Sequence, residues 1–208
     1  MDFILFGILA YLIGSIPTAV WIGRLKYGVD IREQGSKNAG ATNTFRVLGK
    51  KAGIFVLSID ILKGLVAVLL PFIFNSYAWN NDHLIHLKIV AGIMAVVGHI
   101  FPIYVGFKGG KGVATSLGII IGIHPLAAIV IAMVFLIVFI TSNYVSLSSI
   151  CAATTFPIAV NLLFHNENMI LAIFSIVIAL TVVSLHHQNI KRLLQGNESK
   201  MNLFKKKS

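Results

Sequence analysis

The sequence predicts an all-α polytopic membrane protein: seven transmembrane helices, one of them short, with the N-terminus outside and the C-terminus cytoplasmic. Three observations carry that prediction: an excess of apolar residues, their grouping into seven runs, and a lopsided placement of positive charge. Apolar residues make up 57% of the 208 and charged residues 12%, about half the roughly 25% of a soluble domain. A chain of this length cannot hide so much apolar surface in a core, so its natural solvent is lipid. That excludes a soluble enzyme, a disordered tail and a secreted disulfide scaffold. The single cysteine, Cys151, cannot form an internal disulfide and lies in an apolar run, where inert packing is its expected role.

A hydrocarbon layer about 30 Å thick takes roughly 17–25 mainly apolar residues per helix. The first run covers about 3–22, the second 52–74 and the third 86–105. A short fourth covers 112–123, then come 125–140, 145–164 and 169–185. The fourth is too short to cross untilted, so it is a half-helix or shares a helix with its neighbour, which would reduce the count to six. All seven are placed in one integral membrane domain, 1–208.

Charge placement supports the odd count. Arg24, Lys26, Arg32, Lys37, Arg46, Lys50 and Lys51 fall in the first connection, and Lys108 and Lys111 in the third. Lys191, Arg192, Lys200, Lys205, Lys206 and Lys207 fall in the tail, leaving only Lys63 and Lys88 elsewhere among the 17 basic residues. Seven spans put all three clusters on one side, with Asp2, Asp82 and Glu167 opposite. The rule that cytoplasmic loops are positive then sets the orientation, and an even count would strand one cluster on the wrong side. The net charge of +10 is therefore a topology signal before it is a nucleic-acid signal, and no nucleic-acid partner is expected. The first run is not a signal peptide: Asp2 replaces a basic leader, the positive charges follow the apolar run, and no small-x-small cleavage site follows. No internal repeat of the transporter kind is visible. The sequon Asn197-Glu198-Ser199 is discounted because it falls on the cytoplasmic side.

Three segments on the predicted cytoplasmic side hold most of the chemistry. The first, 35–46, is read as a long loop, and long loops are disproportionately functional. In it Ser36, Asn38, Gly40, Thr42 and Asn43 are candidates to hydrogen-bond a polyol or phosphate, and Arg46 to fork onto phosphate oxygens; Ser36 alone reads as ordinary turn chemistry. The second holds His99, Phe101 and Pro102, followed by Lys108-Gly109-Gly110-Lys111-Gly112. Its glycines would turn successive N–H groups toward an anion, and a helix starting near Gly112 would aim its positive end at the same point. The plainer reading, lysines that merely obey the topology rule, stands beside it. The run is not a nucleotide-binding P-loop, since no Ser or Thr follows Lys111 and no strand–loop–helix unit is available. The third segment begins at His186 and Asn189, three apart at a helix end and so pointing the same way, and runs to Glu198, read as pairing with a loop arginine.

Within the second span, Asp60 and Lys63 also share a helical face. Charges at this depth are costly and usually paired, so a mutual ion pair and a cavity wall are compatible readings. His83, His86, His124 and His165 fall on the outer side and are set aside, and no side-chain group has metal-ligand spacing.

Together these stretches resemble the bacterial acylphosphate:glycerol-3-phosphate acyltransferase family of the PlsY type. The resemblance rests on Gly14-Ser15-Ile16-Pro17, the 35–46 segment, Asp60-x-x-Lys63-Gly64, His99-x-Phe101-Pro102 with 108–112, and His186-x-x-Asn189-Ile190. They occur in family order over 14–198; His187 stands where a basic residue is expected. The resemblance implies a seven-span enzyme of the bacterial cell (inner) membrane that moves a fatty acyl group from acyl phosphate to the 1-hydroxyl of glycerol-3-phosphate. Lysophosphatidic acid and inorganic phosphate result, in the first acylation of phospholipid biosynthesis. No cofactor is implied, and the partners are the two small-molecule substrates, the lipid bilayer and other phospholipid-synthesis enzymes. No histidine here is followed by Asp five residues on, so the His-x4-Asp apparatus of the other large glycerolipid acyltransferase class is missing.

On this reading Ser36, Lys111, His186 and Asn189 are catalytic. Ser36, Asn38, Gly40, Thr42, Asn43, Arg46, Lys108, Gly109, Gly110, Lys111 and Gly112 bind phosphate or substrate, and Asp60, Lys63, His99 and Glu198 shape the cavity. The base is either His186, held by Asn189, or the donor's own phosphate. A transporter of a phosphorylated metabolite is the competing class, resting on the Asp60/Lys63 pair and a broken fourth helix. A structural membrane protein would leave the glycine–lysine run unexplained.

Overall fold

The computed structural model describes residues 1–74 and 82–201, so Lys205, Lys206 and Lys207 of the tail cluster lie outside them. All regular structure among the described residues is helical. Five segments are long and apolar enough to cross a membrane: Asp2–Tyr27, Lys50–Phe74, Asp82–Val105, Pro125–Ser142 and Val145–Leu163. Met169–Leu185 and His187–Leu194 make a sixth if the pair, bent by 59°, counts as one span, and Val113–Ile123 is a shorter apolar helix. Many large side chains that face outward from these helices are apolar, among them Ile4, Phe55, Leu62, Ile137 and Leu180. That is what a helix surrounded by hydrocarbon requires, because its backbone groups are satisfied internally and its side chains need no water.

The chain forms two compact units, 1–125 and 126–208. The first opens with α1 (Asp2–Gly14) and α2 (Thr18–Tyr27), where the sequence predicts one continuous helix over 3–22. Pro17 causes the break: it has no N–H to continue the ladder, and the helix restarts with its carbonyl accepting from Val20 and Trp21. The second difference lies in 35–46. Instead of a loop throughout, it contains α3 (Ala41–Leu48), which starts after Gly40 and packs on α4 (Lys50–Phe74). Phe45 of α3 lies so close over Gly53 of α4 that a Cβ there would strike its ring.

α5 (Asp82–Ile100) packs on α1 and α4, and α6 (Val113–Ile123) on α4 and α5. The contacts are backbone-close. A Cβ at Gly14 would meet the Ala95 carbonyl, and one at Gly98 the Tyr11 carbonyl; Gly64 and Gly118 stand in the same relation to Thr115 and Ile61. Small residues at crossings are the membrane solution to packing, because lipid supplies no hydrophobic drive between helices. Lys88, 2% exposed, donates to the Gly122 carbonyl in the last turn of α6 at 3.3 Å, a cation at the negative end of a helix.

In the second unit, α8 (Val145–Ile158) packs on α9 (Met169–Leu185), with Phe156 and Phe174 edge to face at 6.3 Å. α7 (Pro125–Ser142) precedes them, and α10 (His187–Leu194) follows α9 after a bend at His186.

Gly118→Val drives a branched Cβ into the Ile61 carbonyl, which, being backbone, cannot swing away. The expected cost is about 3 kcal/mol or more, at or above the upper end for overpacking. It is read as a lower unfolding midpoint of the purified protein in detergent.

Candidate active site

Pro17 does more than break a helix. The break leaves the Ile16 carbonyl open to a side chain, and Lys63 Nζ donates to it at 2.9 Å. Lys63 also lies 2.8 Å from Asp60 Oδ1, and both side chains are almost fully buried. Thr18 Oγ1 donates to the same carboxylate oxygen at 3.3 Å, and His99 Nδ1 is 3.9 Å from it. Thr115 Oγ1, in the first turn of α6, is hydrogen-bonded to His99 Nδ1 at 3.1 Å. The expected ion pair is thus present, and its members hold α2, α4, α5 and α6 to one another. Beside it is a cavity of about 10 Å³, bordered by Thr18, Asp60, Lys63, His99, Gly109 and Gly110 among others, which is room for about one water. A pair so closely satisfied supports a structural task, which removes the main support for a transporter.

Directly over this network lies the glycine run, and here the anion-nest reading of Gly109 and Gly110 needs correction. Their N–H groups donate to the carbonyls of Ile100 (3.0 Å) and His99 (3.2 Å), so neither points at an incoming anion. The two residues must be glycine for another reason: a Cβ at Gly109 would strike the His99 carbonyl, and one at Gly110 the His99 ring. Gly112 has φ +75 and caps α6. The N–H groups of the first turn after it have no place in the intrahelical ladder and present the positive end of the helix next to Lys111.

Asn43 also has a different task from the substrate contact expected of it. It is 1% exposed, and its amide donates to the carbonyls of Ile31 (2.9 Å) and Gln34 (3.0 Å) while its oxygen accepts from the Ser36 N–H at 2.8 Å. It fixes the turn that presents Ser36. Ser36 and Arg46 are exposed, and Asn38, Gly40, Thr42 and Lys111 are half-buried.

Between the first loop and the glycine run lies an open cleft of about 460 Å³ lined by Asp30, Arg32, Glu33, Lys37, Val105, Gly106, Lys108 and Gly109. Sequence reasoning placed Lys108 and Gly109 at a phosphate site and counted Arg32 only as topology. Arg32 Nε and Nη2 fork onto Asp30 at 3.0 and 2.8 Å, and Arg24 Nη2 reaches the same carboxylate at 2.7 Å. The Arg32 hydrogen bonds above all, with those of Arg24, hold the Asp30 carboxyl far below the usual carboxylate range in spite of its partial burial. Asp30 is the N-cap of a 3-10 turn, accepting from the Arg32 N–H, and the Asp-x-Arg pattern was the available signal.

The second unit holds the remaining candidates. His186 is 4% exposed, and its Nδ1 lies 2.7 Å from the Val182 carbonyl. A carbonyl only accepts, so in this contact Nδ1 carries a proton and donates it. Asn189, expected to hold His186, donates its amide to Glu198 Oε1 at 2.8 Å. Glu198 also accepts from Ser146 Oγ (2.9 Å) and Arg192 Nε (2.7 Å). The expected pairing with a loop arginine is therefore corrected: Arg192 is on α10, six residues away. Burial by itself would raise the Glu198 pKa, but the bonds from Arg192, Asn189 and Ser146 outweigh it and lower it from 4.5.

These features define a class: an integral membrane protein of apolar helices whose charged and polar clusters are tied together at helix breaks and ends. A model of the family described as glycerol-3-phosphate acyltransferase matches residues 4–196, and the chain belongs to that family. The glycerol-3-phosphate acyltransferase of Listeria monocytogenes serovar 1/2a is 47% identical over 201 residues, covering 97% of this chain and 98% of that one. The fold is similar to a crystal structure of PlsY (YgiH), an integral membrane glycerol 3-phosphate acyltransferase, in its glycerol 3-phosphate form. The TM-score is 0.87 at 37% identity, over 99% of this chain and 100% of that one. A second PlsY structure, in a lysophosphatidic acid form, has a TM-score of 0.84 at 37% identity, over 97% and 96% of the two chains.

Because the folded-state pKa of Glu198 is lowered, its stabilising contribution is complete above the unfolded value of 4.5 and disappears as the pH falls through the lower folded value. Glu198→Gln is therefore expected to lose about 1–3 kcal/mol at neutral pH. The gap in unfolding midpoint from the parent protein should stay constant from neutral pH down to about pH 5.5 and shrink below pH 4.5.

Proposed function

We propose that this protein transfers a fatty acyl group from acyl phosphate to the 1-hydroxyl of glycerol-3-phosphate, giving lysophosphatidic acid and inorganic phosphate. One observation carries the reading: a cationic cleft between two glycine-rich loops, in a chain that belongs to the glycerol-3-phosphate acyltransferase family over 4–196. Both substrates are phosphorylated, and Lys37, Lys108, Lys111 and Arg46 supply charge for them, with Ser36, Asn38, Gly40, Thr42 and Gly112 as polar and backbone contacts. The reaction sits as the first acylation of phospholipid biosynthesis in the bacterial cell (inner) membrane. Residues 1–208 form one acyltransferase domain with seven spans, N-terminus outside and tail cytoplasmic, an orientation supported by the three basic clusters. The bilayer and other phospholipid-synthesis enzymes are its partners.

Acyl phosphate is a mixed anhydride and already activated, so neither a cofactor nor a covalent enzyme intermediate is needed. The hydroxyl oxygen bonds to the acyl carbon, the bond from that carbon to the bridging oxygen breaks, and phosphate departs with the bridging oxygen and the electron pair. Lysine charge and the first turn of α6 stabilise the departing phosphate and the developing oxyanion. The hydroxyl proton goes to a protein base, for which His186 is the candidate, or to the donor's own phosphate oxygen. The Asn189–Glu198–Arg192 cluster fixes the start of α10, which follows His186.

Purified protein given palmitoyl phosphate and glycerol-3-phosphate is expected to release phosphate without CoA or nucleotide; no product in an active bilayer overturns the reading. Lys111→Ala should lower kcat/KM by about 100-fold or more, and unchanged kinetics remove it from the phosphate site. His186→Gln should abolish the acidic limb of the pH–rate profile. A loss of only a few-fold with that limb intact makes the donor phosphate the base.

A further inference from the structure

Arg32 lies in the cleft with its side chain 18% exposed, and most of its hydrogen-bonding capacity is already committed. Beyond the fork onto Asp30, Nη1 donates to the Val105 carbonyl at 2.8 Å and reaches the Lys108 carbonyl at 3.4 Å. Four of the roughly five donors of a guanidinium are thus engaged, two by the carboxylate of its own loop and two by carbonyls of the other. Those carbonyls flank Gly106 and Phe107, at φ +73 and +59. Phe107 carries a bulky side chain in the left-handed region, a conformation that persists only where its surroundings impose it. The Phe107 N–H is held by the Pro102 carbonyl at 2.9 Å from one side, and Arg32 holds the flanking carbonyls from the other.

We propose that Arg32, oriented by Asp30, is a positioning residue that clasps the first loop to the Lys108 loop and so sets the width of the cleft across which Lys37 and Lys108 act. Arg24 extends the tie to the last turn of α2, making a line from α2 through Asp30 and Arg32 to Val105. The use made of this clasp rests on the acyltransferase reading; its existence does not. Arg32 is not one more substrate-attracting charge, because its guanidinium is committed to a carboxylate at fork distance and to two carbonyls. Lysine cannot substitute, since one ammonium cannot fork onto Asp30 while spanning two carbonyls.

The test compares Arg32→Lys, Arg32→Met, Asp30→Asn and the double variant Asp30→Asn/Arg32→Met by phosphate release from palmitoyl phosphate and glycerol-3-phosphate. Kinetics are paired with amide hydrogen exchange over 103–110. A clasp predicts that each single variant loses about 10- to 100-fold in kcat/KM, mostly through KM. Lys then does no better than Met, and the double variant is no worse than either single one. Asp30→Asn makes the cleft more positive. If it leaves KM unchanged or tightens it, or if Arg32→Lys retains near-normal activity, Arg32 acts as a bare charge and the clasp is wrong. Exchange over 103–110 should accelerate in Arg32→Met and Asp30→Asn while that of α4 stays as in the parent. Unchanged exchange over 103–110 overturns the clasp as well. Should the parent protein itself release no phosphate, the functional reading fails, and the exchange data still judge the clasp.

Discussion

A charge surrounded by hydrocarbon must find a counter-charge or a carbonyl, and Lys63 finds both. The rest of the first unit is arranged around that requirement. The Ile16 carbonyl is open to a side chain because Pro17 interrupts the helix, so the break between α1 and α2 is part of the same solution as the Asp60–Lys63 pair. Thr18 comes from the restarted helix, His99 brings α5 to the same carboxylate, and Thr115 ties α6 to the His99 ring. Buried ion pairs seldom add net stability over apolar residues of similar size, but removing one partner costs about 3–5 kcal/mol. The pair therefore specifies an arrangement more than it strengthens one, and it can do so only because Gly14, Gly64, Gly98 and Gly118 let the four helices approach to backbone contact.

Accounting for backbone N–H groups changes what the glycine run can do. An exposed stretch of glycines suggests amides aimed at an anion, yet Gly109 and Gly110 give theirs to the end of α5. Their lack of a side chain lets the run lie flat on His99. What the run offers the phosphate of the proposed substrates is side-chain charge and the first turn of α6. The fold thus divides the run into glycines that dock it and lysines that bear charge.

Much of the architecture was legible because hydropathy is one-dimensional: each of the seven apolar runs is helical, though the first is broken in two at Pro17, and the pairing of Asp60 with Lys63 follows from helical spacing alone. The errors arose where a local pattern depends on a distant partner. Gly14-Ser15-Ile16-Pro17 was noted, but only Lys63, 47 residues away, explains why a broken helix is useful there. The stretch 41–48 read as loop because Thr, Asn and Gly suit turns, while its packing on α4, which makes it a helix, is a tertiary fact. Asn43 looked like a ligand for the same reason: an amide that holds a turn together and one that holds a substrate are the same in sequence. Glu198 was rightly given an arginine, but the choice among arginines was set by the turn after α10.

The distinction between committed and available cations also explains how a strongly basic chain can be selective. The rule that counts positive charge on the cytoplasmic side treats Arg and Lys alike, but the structure uses them differently. Arg24, Arg32 and Arg192 are engaged with Asp30 and Glu198, the flat guanidinium matching a carboxylate at two points. Lys37 and Lys108 stand exposed at the cleft, where a compact charge on a flexible stem suits the departing phosphate of the proposed reaction. Pairing the arginines with acidic partners commits their donors and makes them struts. On the proposed function, the cleft would attract phosphate through a few lysines at a spacing set by the arginines, and its selectivity would depend on pairs that never touch substrate.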